Sequence, residues 1–600
     1  MSTLLQQSSE DMKRFLTQLS LITLLSFSFS DLLQAQSNIS TKKNQPPDFK
    51  ENSWQLLIAG GGLKICSSSQ PEHCIDNDFP DNALKKQSYS LTTETLSKVL
   101  ELNAYQELDN QRKSQLNTLF EYFYANPTQV IGTAGIRDAF EQASNQFDGA
   151  SFFTNLPNAL YYAIVDFTEQ VNAQKEQVKF LASKSKASQD IFLKFVEQAN
   201  SKREDDETLT LLFTTASARD PFAAIDFYQQ TLEQAARNLY PTLDIEVNWL
   251  PLDESLATLI NNTRSCDELF ALQAKSELYN RNQRYPEYSS RLINACQQPQ
   301  SITNQIVQAH GLFINGGDQM RTLNSFQMKT SPSTTLATLL NSRISQNKML
   351  LAGTSAGAAV MSGGVRQNRP VPMITSGQSN FALVRGAFAL PPAPFGCEKD
   401  GNCPNGLLED DLTYRPAGGL GLFKAGIIDT HFSERDRQGR LVTLAAFTKT
   451  QLTFGIDENT ALLFRENQQL EMEVLGAGGV FIADMQDAIF KAQSGKHQLI
   501  GLSHYLNHGD RLSITPERQL HFSLHNEAQK VSDKTMVLIT ERGEYRRQVG
   551  LNCGTQQFHR WNSDNVAWLV NPSEDTIFTL SQQYDRETCS YINLLFGVEN

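Results

Sequence analysis

Ser355 stands in Gly353-Thr354-Ser355-Ala356-Gly357, directly behind the apolar run Lys348–Ala352 and ahead of the small residues Ala358 and Ala359. A buried strand, then G-x-S-x-G, then a helix start is the setting of a nucleophile elbow. There the glycines permit a sharp turn and the hydroxyl is lifted above the sheet edge. The Ala356 amide would point at an oxyanion forming on an attacked carbonyl. An ordinary serine in a Gly/Ala-rich turn is the competing explanation. A serine hydroxyl also needs a base and a group that orients the base. His431, in Asp429-Thr430-His431-Phe432, follows the apolar run Ala425–Ile428. It therefore falls at a carboxyl end, where open α/β sheets place their sites. Gly455-Ile456-Asp457-Glu458 closes another strand, and Glu458 is the candidate partner for the imidazole Nδ1–H, with Asp457 as its rival. The order Ser, His, Glu departs from the Ser, acid, His order of α/β-hydrolases, so a different fold is expected despite the elbow.

Two further segments could serve such a centre. Phe313-Ile314-Asn315 runs into Gly316-Gly317-Asp318-Gln319, where the Gly317 amide could complete an oxyanion hole and Asp318 and Gln319 could hold substrate. Arg435, Arg437 and Arg440 all lie within ten residues of His431. They suit either a solvated helix start with internal ion pairs or, since guanidinium forks bind carboxylates bidentately, an acidic substrate.

These residues need strands to present them, and the chain supplies a strand–helix alternation. Trp54–Ala59 is the first strand candidate and runs into Gly60-Gly61-Gly62. Over 140 residues later come Leu209–Thr214, a helix opened by Asp220-Pro221, the strand Ile245–Leu250 and a second helical stretch. They are followed by the strand Gly311–Asn315, a helix near Ser333–Ser345, the strand Lys348–Ala352 and the strand Ala425–Asp429. A helix near Arg437–Phe447 and the strands Leu452–Asp457 and Thr460–Phe464 close the series. Apolar strands alternating with amphipathic helices imply an α/β fold, a mainly parallel sheet with helices on both faces. Between Gly62 and Leu209 the chain reads as helical, with Ile191/Phe195 and Phe192/Val196 paired at i,i+4. We therefore divide the chain into a signal peptide (1–36), a leader with the first strand of the catalytic domain (37–74), a helical insertion (75–207), the catalytic α/β domain (208–494) and a β-rich C-terminal domain (495–600). That last domain includes strands expected at Gln519–Leu524 and Thr535–Thr540.

Composition narrows the function classes. Six hundred residues allow two or three domains, and 65 acidic against 52 basic residues give a formal charge of -13. A nucleic-acid partner is disfavoured, because its footprint would be a basic face. Met12-Lys13-Arg14, the apolar stretch Leu19–Phe29 and the small residue Ala35 form the three-part pattern of an export signal, too short to span a membrane. The eight cysteines all follow it and fall into couples: Cys66/Cys74, Cys266/Cys296, Cys397/Cys403 and Cys553/Cys589. Without CxxC spacing or a histidine cluster they suit disulfides in a periplasmic or secreted protein better than zinc.

Taken together, Gly316-Gly317-Asp318-Gln319, Gly353-Thr354-Ser355-Ala356-Gly357, Asp429-x-His431-Phe432-Ser433-x-Arg435-x-Arg437-x-x-Arg440 and Gly455-Ile456-Asp457-Glu458 resemble cyanophycinase and its relatives, the aspartyl dipeptidases among serine peptidases. The resemblance covers about 54–66 and 208–490. It leaves out the insertion and the C-terminal part. It implies a glutamine-amidotransferase-like, three-layer α/β fold, a Ser–His–Glu triad without metal or cofactor, and release of β-Asp-Arg dipeptides from cyanophycin, a poly-aspartate with arginine on each side chain. Carried over, Ser355 is nucleophile, His431 base and Glu458 orienter; Gln319, Asp429, Arg435, Arg437 and Arg440 line the substrate site. Thr430 stands where many members carry Gln. Ordinary peptides with N-terminal Asp, or a non-catalytic polymer-binding role, are the alternative expectations. The insertion could wall the cleft, form a homodimer surface or grip the polymer.

Overall fold

Leu56–Ala59, Gly311–Ile314 and Leu350–Thr354 are buried along their whole length, as strands covered on both faces must be. They lie in the larger of the two main sheets in a computed structural model that describes residues 53–172, 174–493, 496–525, 543–563, 566–584 and 586–600. The expected signal peptide, the leader up to residue 52 and the strand expected at Thr535–Thr540 lie outside the described residues.

The larger sheet has nine strands in the order Leu520–Ser523, Arg511–Ile514, Leu470–Gly476, Thr460–Glu466, Leu56–Ala59, Leu350–Thr354, Gly311–Ile314, Leu209–Thr214, Ile245–Trp249. The last five are mutually parallel. From Leu56–Ala59 outward the pairing turns antiparallel. The sheet is thus parallel around Ser355 and a meander beyond it.

The strands carrying His431 and Glu458 are not in this sheet, which corrects the single-sheet expectation. Ile427–Thr430 pairs parallel with Leu452–Ile456, and that pair opens a second, eight-stranded sheet. It continues through Val480–Gln493, Lys496–Leu506, Arg586–Glu599, Val566–Asn571 and His559–Ser563, with Ile577–Gln583 also on Arg586–Glu599. Val480–Gln493 and Lys496–Leu506 pair with each other across the boundary expected at 494/495. The C-terminal strands therefore extend the sheet that bears His431. Their apolar residues, among them Trp561, Trp568 and Phe596, share one buried cluster with Phe432, Leu441 and Phe481.

The insertion also divides differently. Helices between Thr93 and Thr168, with the antiparallel strand pair Ser88–Leu91/Thr128–Ile131, enclose a core that includes Leu116, Phe120, Phe123, Phe140, Phe153 and Ile164. The next helix, Lys186–Asn200, belongs with the large sheet. Its stripe Ile191, Phe192, Phe195, Val196, Ala199 is buried, and Phe192 and Phe195 meet Phe313 with ring centres 5.2 and 5.6 Å away. Each such buried phenylalanine stabilises by about 1.5–3 kcal/mol. The i,i+4 pairs are as expected, but their partner is the sheet. The helix expected at Asp220-Pro221 starts later, at Ile225, because the Asp220 carboxylate accepts from Phe222 N (2.9 Å) and pairs with Arg281 (2.8 Å). The helices near 333 and 437 begin at Leu336 and Gln438.

All eight cysteines form disulfides between the couples nearest in sequence: Cys66–Cys74, Cys266–Cys296, Cys397–Cys403 and Cys553–Cys589. Among the described residues no helix is long and apolar enough to cross a membrane.

Candidate active site

The sheets meet where their strands end. Leu350–Thr354 delivers Ser355 from the larger sheet, and Ile427–Thr430 delivers His431 from the smaller. Asp457-Glu458-Asn459 is the crossing that takes the chain from one sheet to the other, between Leu452–Ile456 and Thr460–Glu466. At this seam Ser355 Oγ lies 2.8 Å from His431 Nε2, and His431 Nδ1 lies 2.7 Å from Glu458 Oε1. The structure thus brings together the three residues that sequence singled out. With Glu458 accepting, Nδ1 carries the proton and Nε2 is left to accept from the serine hydroxyl. The His431 hydrogen bond foremost, with the charges of His431, Lys64 and Arg435, overcomes partial burial and holds the Glu458 carboxyl below the usual carboxylate range.

Local backbone makes this geometry. Ser355 sits at φ 55, ψ −116, its amide donating to Ala59 O (3.0 Å), and His431 sits at φ 47, its amide donating to Gly60 O (2.7 Å). Two non-glycine residues at positive φ cost about 1–3 kcal/mol each. The Gly60-Gly61-Gly62 turn gives room for the pair. A Cβ on Gly61 (φ 108) would lie 2.4 Å from His431 Nε2, and one on Gly62 (φ 61) 2.6 Å from Glu458 Oε2. The signal in the sequence is three consecutive glycines closing a strand. The Glu458 turn is tied down by Asn459, whose amide donates to Gly61 O (2.9 Å) and whose Oδ1 accepts from Ser188 Oγ (2.6 Å) on the Lys186–Asn200 helix.

The remaining candidates divide. Gly316 backs onto the serine: a Cβ there would lie 3.7 Å from Ser355 Oγ. Gly317 (φ 148) passes so close to Ser217 O that only glycine fits. Asp318 caps the helix Gln319–Phe326, its Oδ1 accepting from Met320 N (2.7 Å) while its own amide donates to Ser217 O (2.7 Å). Gln319 Nε2 donates to Ile374 O (2.8 Å) and Thr375 O (3.0 Å), so its amide holds a neighbouring strand. Arg440 and Asp429, both buried, form a bidentate pair at 2.7 and 2.5 Å, and Arg440 also donates to Gly377 O (2.6 Å). Burial alone would raise the Asp429 carboxyl, but the Arg440 and Arg437 guanidinia outweigh it and hold it low. Arg437 donates to Thr430 O (2.6 Å) and reaches Asp429 only at 3.5 Å. Burial, with Arg440 close by, pulls its guanidinium down to about 9. Arg435 is exposed. Of the three arginines, Arg440 is thus committed to Asp429, Arg437 is held on Thr430, and Arg435 is exposed.

A serine in an elbow turn, hydrogen-bonded in line with a histidine–carboxylate pair at a sheet terminus, is the arrangement of a serine-type peptidase. Residues 287–385, which contain Gly316–Gln319 and Ser355 but neither His431 nor Glu458, match Peptidase family S51. Among curated proteins the chain is similar to cyanophycinases. It is 31% identical over 210 residues to the cyanophycinase of Trichormus variabilis, covering 34% of this chain and 57% of that protein. It is 32% identical over 209 residues to that of Geminocystis herdmanii, covering 33% and 61%. The chain thus spans about three-fifths of the length of these curated relatives.

Proposed function

We propose that the chain is an exported serine exopeptidase that hydrolyses cyanophycin to β-Asp-Arg dipeptides. The observation that carries this is the unbroken hydrogen-bonded line Glu458–His431–Ser355, with Ser355 in an elbow turn. Ser355 Oγ attacks a backbone carbonyl of the polymer as His431 Nε2 takes its proton, and Glu458 stabilises the imidazolium. The Ala356 and Gly317 amides receive the oxyanion. His431 then gives its proton to the departing amine, and water releases the acyl group by the same steps in reverse. Arg435 and Arg437 face the free carboxylates that the arginyl side groups of the polymer carry. Four disulfides support an oxidising compartment for the mature chain, periplasm or medium.

Purified protein incubated with insoluble cyanophycin should release β-Asp-Arg, detected by mass spectrometry. Ser355→Ala should slow release by about four to six orders of magnitude. Equal release by both proteins would end the proposal. A second reading, cleavage of ordinary peptides with N-terminal Asp, is favoured by the commitment of Arg440 to Asp429, which leaves fewer cations for the carboxylates repeated along the polymer's side groups. Comparing α-Asp-X dipeptides with the polymer separates the two.

A further inference from the structure

Behind the Ser355–His431–Glu458 line lies a buried cluster of charge that the proposed chemistry does not use. Asp457, next to Glu458, is fully buried. Its Oδ1 accepts from Ser433 N (2.9 Å); its Oδ2 accepts from Arg546 Nη1 (2.6 Å), Gly479 N (3.3 Å) and the Tyr505 hydroxyl. Arg546 Nη1 also lies 2.8 Å from Glu434 Oε1, and the other oxygen of Glu434 accepts from Glu458 N (3.0 Å). Glu434 is three residues past His431. One guanidinium therefore bridges two carboxylates, one on the segment of His431 and the other on the turn of Glu458.

Arg546 comes from the far end of the chain. It lies on the helix Glu544–Leu551, whose first amide donates to Asp436 Oδ1 (2.6 Å), whose Tyr545 is buried in the smaller sheet's cluster, and which leads to the Cys553–Cys589 disulfide. Tyr505 stands on the Lys496–Leu506 strand, again beyond the segments that resemble the cyanophycinases.

We propose that Arg546 is a positioning residue of the candidate active site, holding the Glu434 and Asp457 carboxylates together so that Glu458 stays aligned on His431. The proposal rests on Ser355 being the nucleophile. Two buried carboxylates without their shared cation repel each other and separate the segments they belong to. Burial, then the Asp457 charge, already pushes the Glu434 carboxyl up to about 7 against the pull of Arg546. A displacement of about 1 Å in such a line costs on the order of 100-fold in rate.

The test is the rate at which a fluorophosphonate labels Ser355, measured on the full chain. This probe carries no aspartyl group, so the result is independent of whether cyanophycin is the substrate; the hydrolysis assay tests that separately. Arg546→Met should label about 10- to 100-fold more slowly than the parent while keeping its circular-dichroism spectrum. Adding Glu434→Gln removes the repulsion and keeps an acceptor for the Glu458 amide, so Arg546→Met/Glu434→Gln should recover at least a third of the lost rate on a logarithmic scale. A purely structural arginine would show no such rescue. Labelling of Arg546→Met at the parent's rate, or a double variant no faster than the single one, would overturn the proposal.

Discussion

Ser355 and His431 each hold a backbone angle that their side chains disfavour, and the hydrogen bonds of their amides to Ala59 and Gly60 keep them there. The strain is local, so a single atom in the wrong place should be felt at once. Gly61 is the most exposed to this argument. In Gly61→Ala the new methyl would overlap the imidazole at 2.3–2.4 Å, and alanine disfavours a φ of 108. The fold has several hydrogen bonds to either side of this turn and should survive, but the imidazole must swing off Ser355. We expect Ser355 labelling and hydrolysis to fall by roughly 100-fold or more with the far-UV spectrum unchanged. A variant that labels at the parent's rate would show that the glycine turn does not set the imidazole's place.

At the scale of elements, the Asp429–Arg440 pair ties the end of the Ile427–Thr430 strand to the helix Gln438–Thr448, and both partners are shut away from water. Removing one half leaves an uncompensated buried charge, so Arg440→Ala should lose about 3–5 kcal/mol in denaturant unfolding. The pH dependence follows from the depressed Asp429 carboxyl. Its contribution is complete above the ordinary unfolded value near ~4 and drains away as the solution is acidified toward the folded value. The acid limb of the stability curve should therefore flatten in Arg440→Ala; an unchanged limb would place the acid sensitivity elsewhere. This pair also shows where the sequence stopped being legible. Residue types and strand ends located Ser355, His431 and Glu458, because an elbow, a strand-end histidine and a strand-end carboxylate each leave a local mark. Nothing local says that Arg440 faces Asp429 instead of a substrate, or that two buried strands such as Ile427–Thr430 and Leu452–Ile456 join a second sheet. Strands buried on both faces show no alternation in either sheet, and the nearer of Arg546's two carboxylate partners lies 89 residues away in sequence. The expected boundary at 494/495 marks a change in alternation of the same local kind, and strand pairing continues across it.

For the whole molecule, the question is how firmly the insertion is held. Its helices have a core of their own, joined by Tyr279 from the sheet side, and they meet the rest of the chain there and through a buried ion cluster. Asp166 and Glu169 come from the insertion; Arg219, Asp220, Arg281 and Arg284 come from the sheet side. Arg281 is the centre: it bonds Glu169 (2.6 Å), Asp220 (2.8 Å) and the Asp166 carbonyl (3.0 Å), and is almost wholly buried. So many direct bonds make a rigid joint, since each carboxylate needs its cation to stay out of water. Arg281→Met would leave Glu169 and Asp220 facing each other with only Arg284 and Arg219 at the margins. We expect a loss of about 3–5 kcal/mol confined to the joint. Because the two cores are separate, the insertion should loosen first. Limited proteolysis should then cut between Thr93 and Thr168 well before the sheets, and an earlier melting transition should split from the main one. A single transition with the parent's cleavage pattern would mean that the joint is held by apolar packing alone. If the loosened protein labels Ser355 at the parent's rate yet no longer degrades insoluble cyanophycin, the insertion acts on the polymer. If both activities fall together, it acts on the seam, through Ser188 and the Asn459 side chain that hold the Glu458 turn.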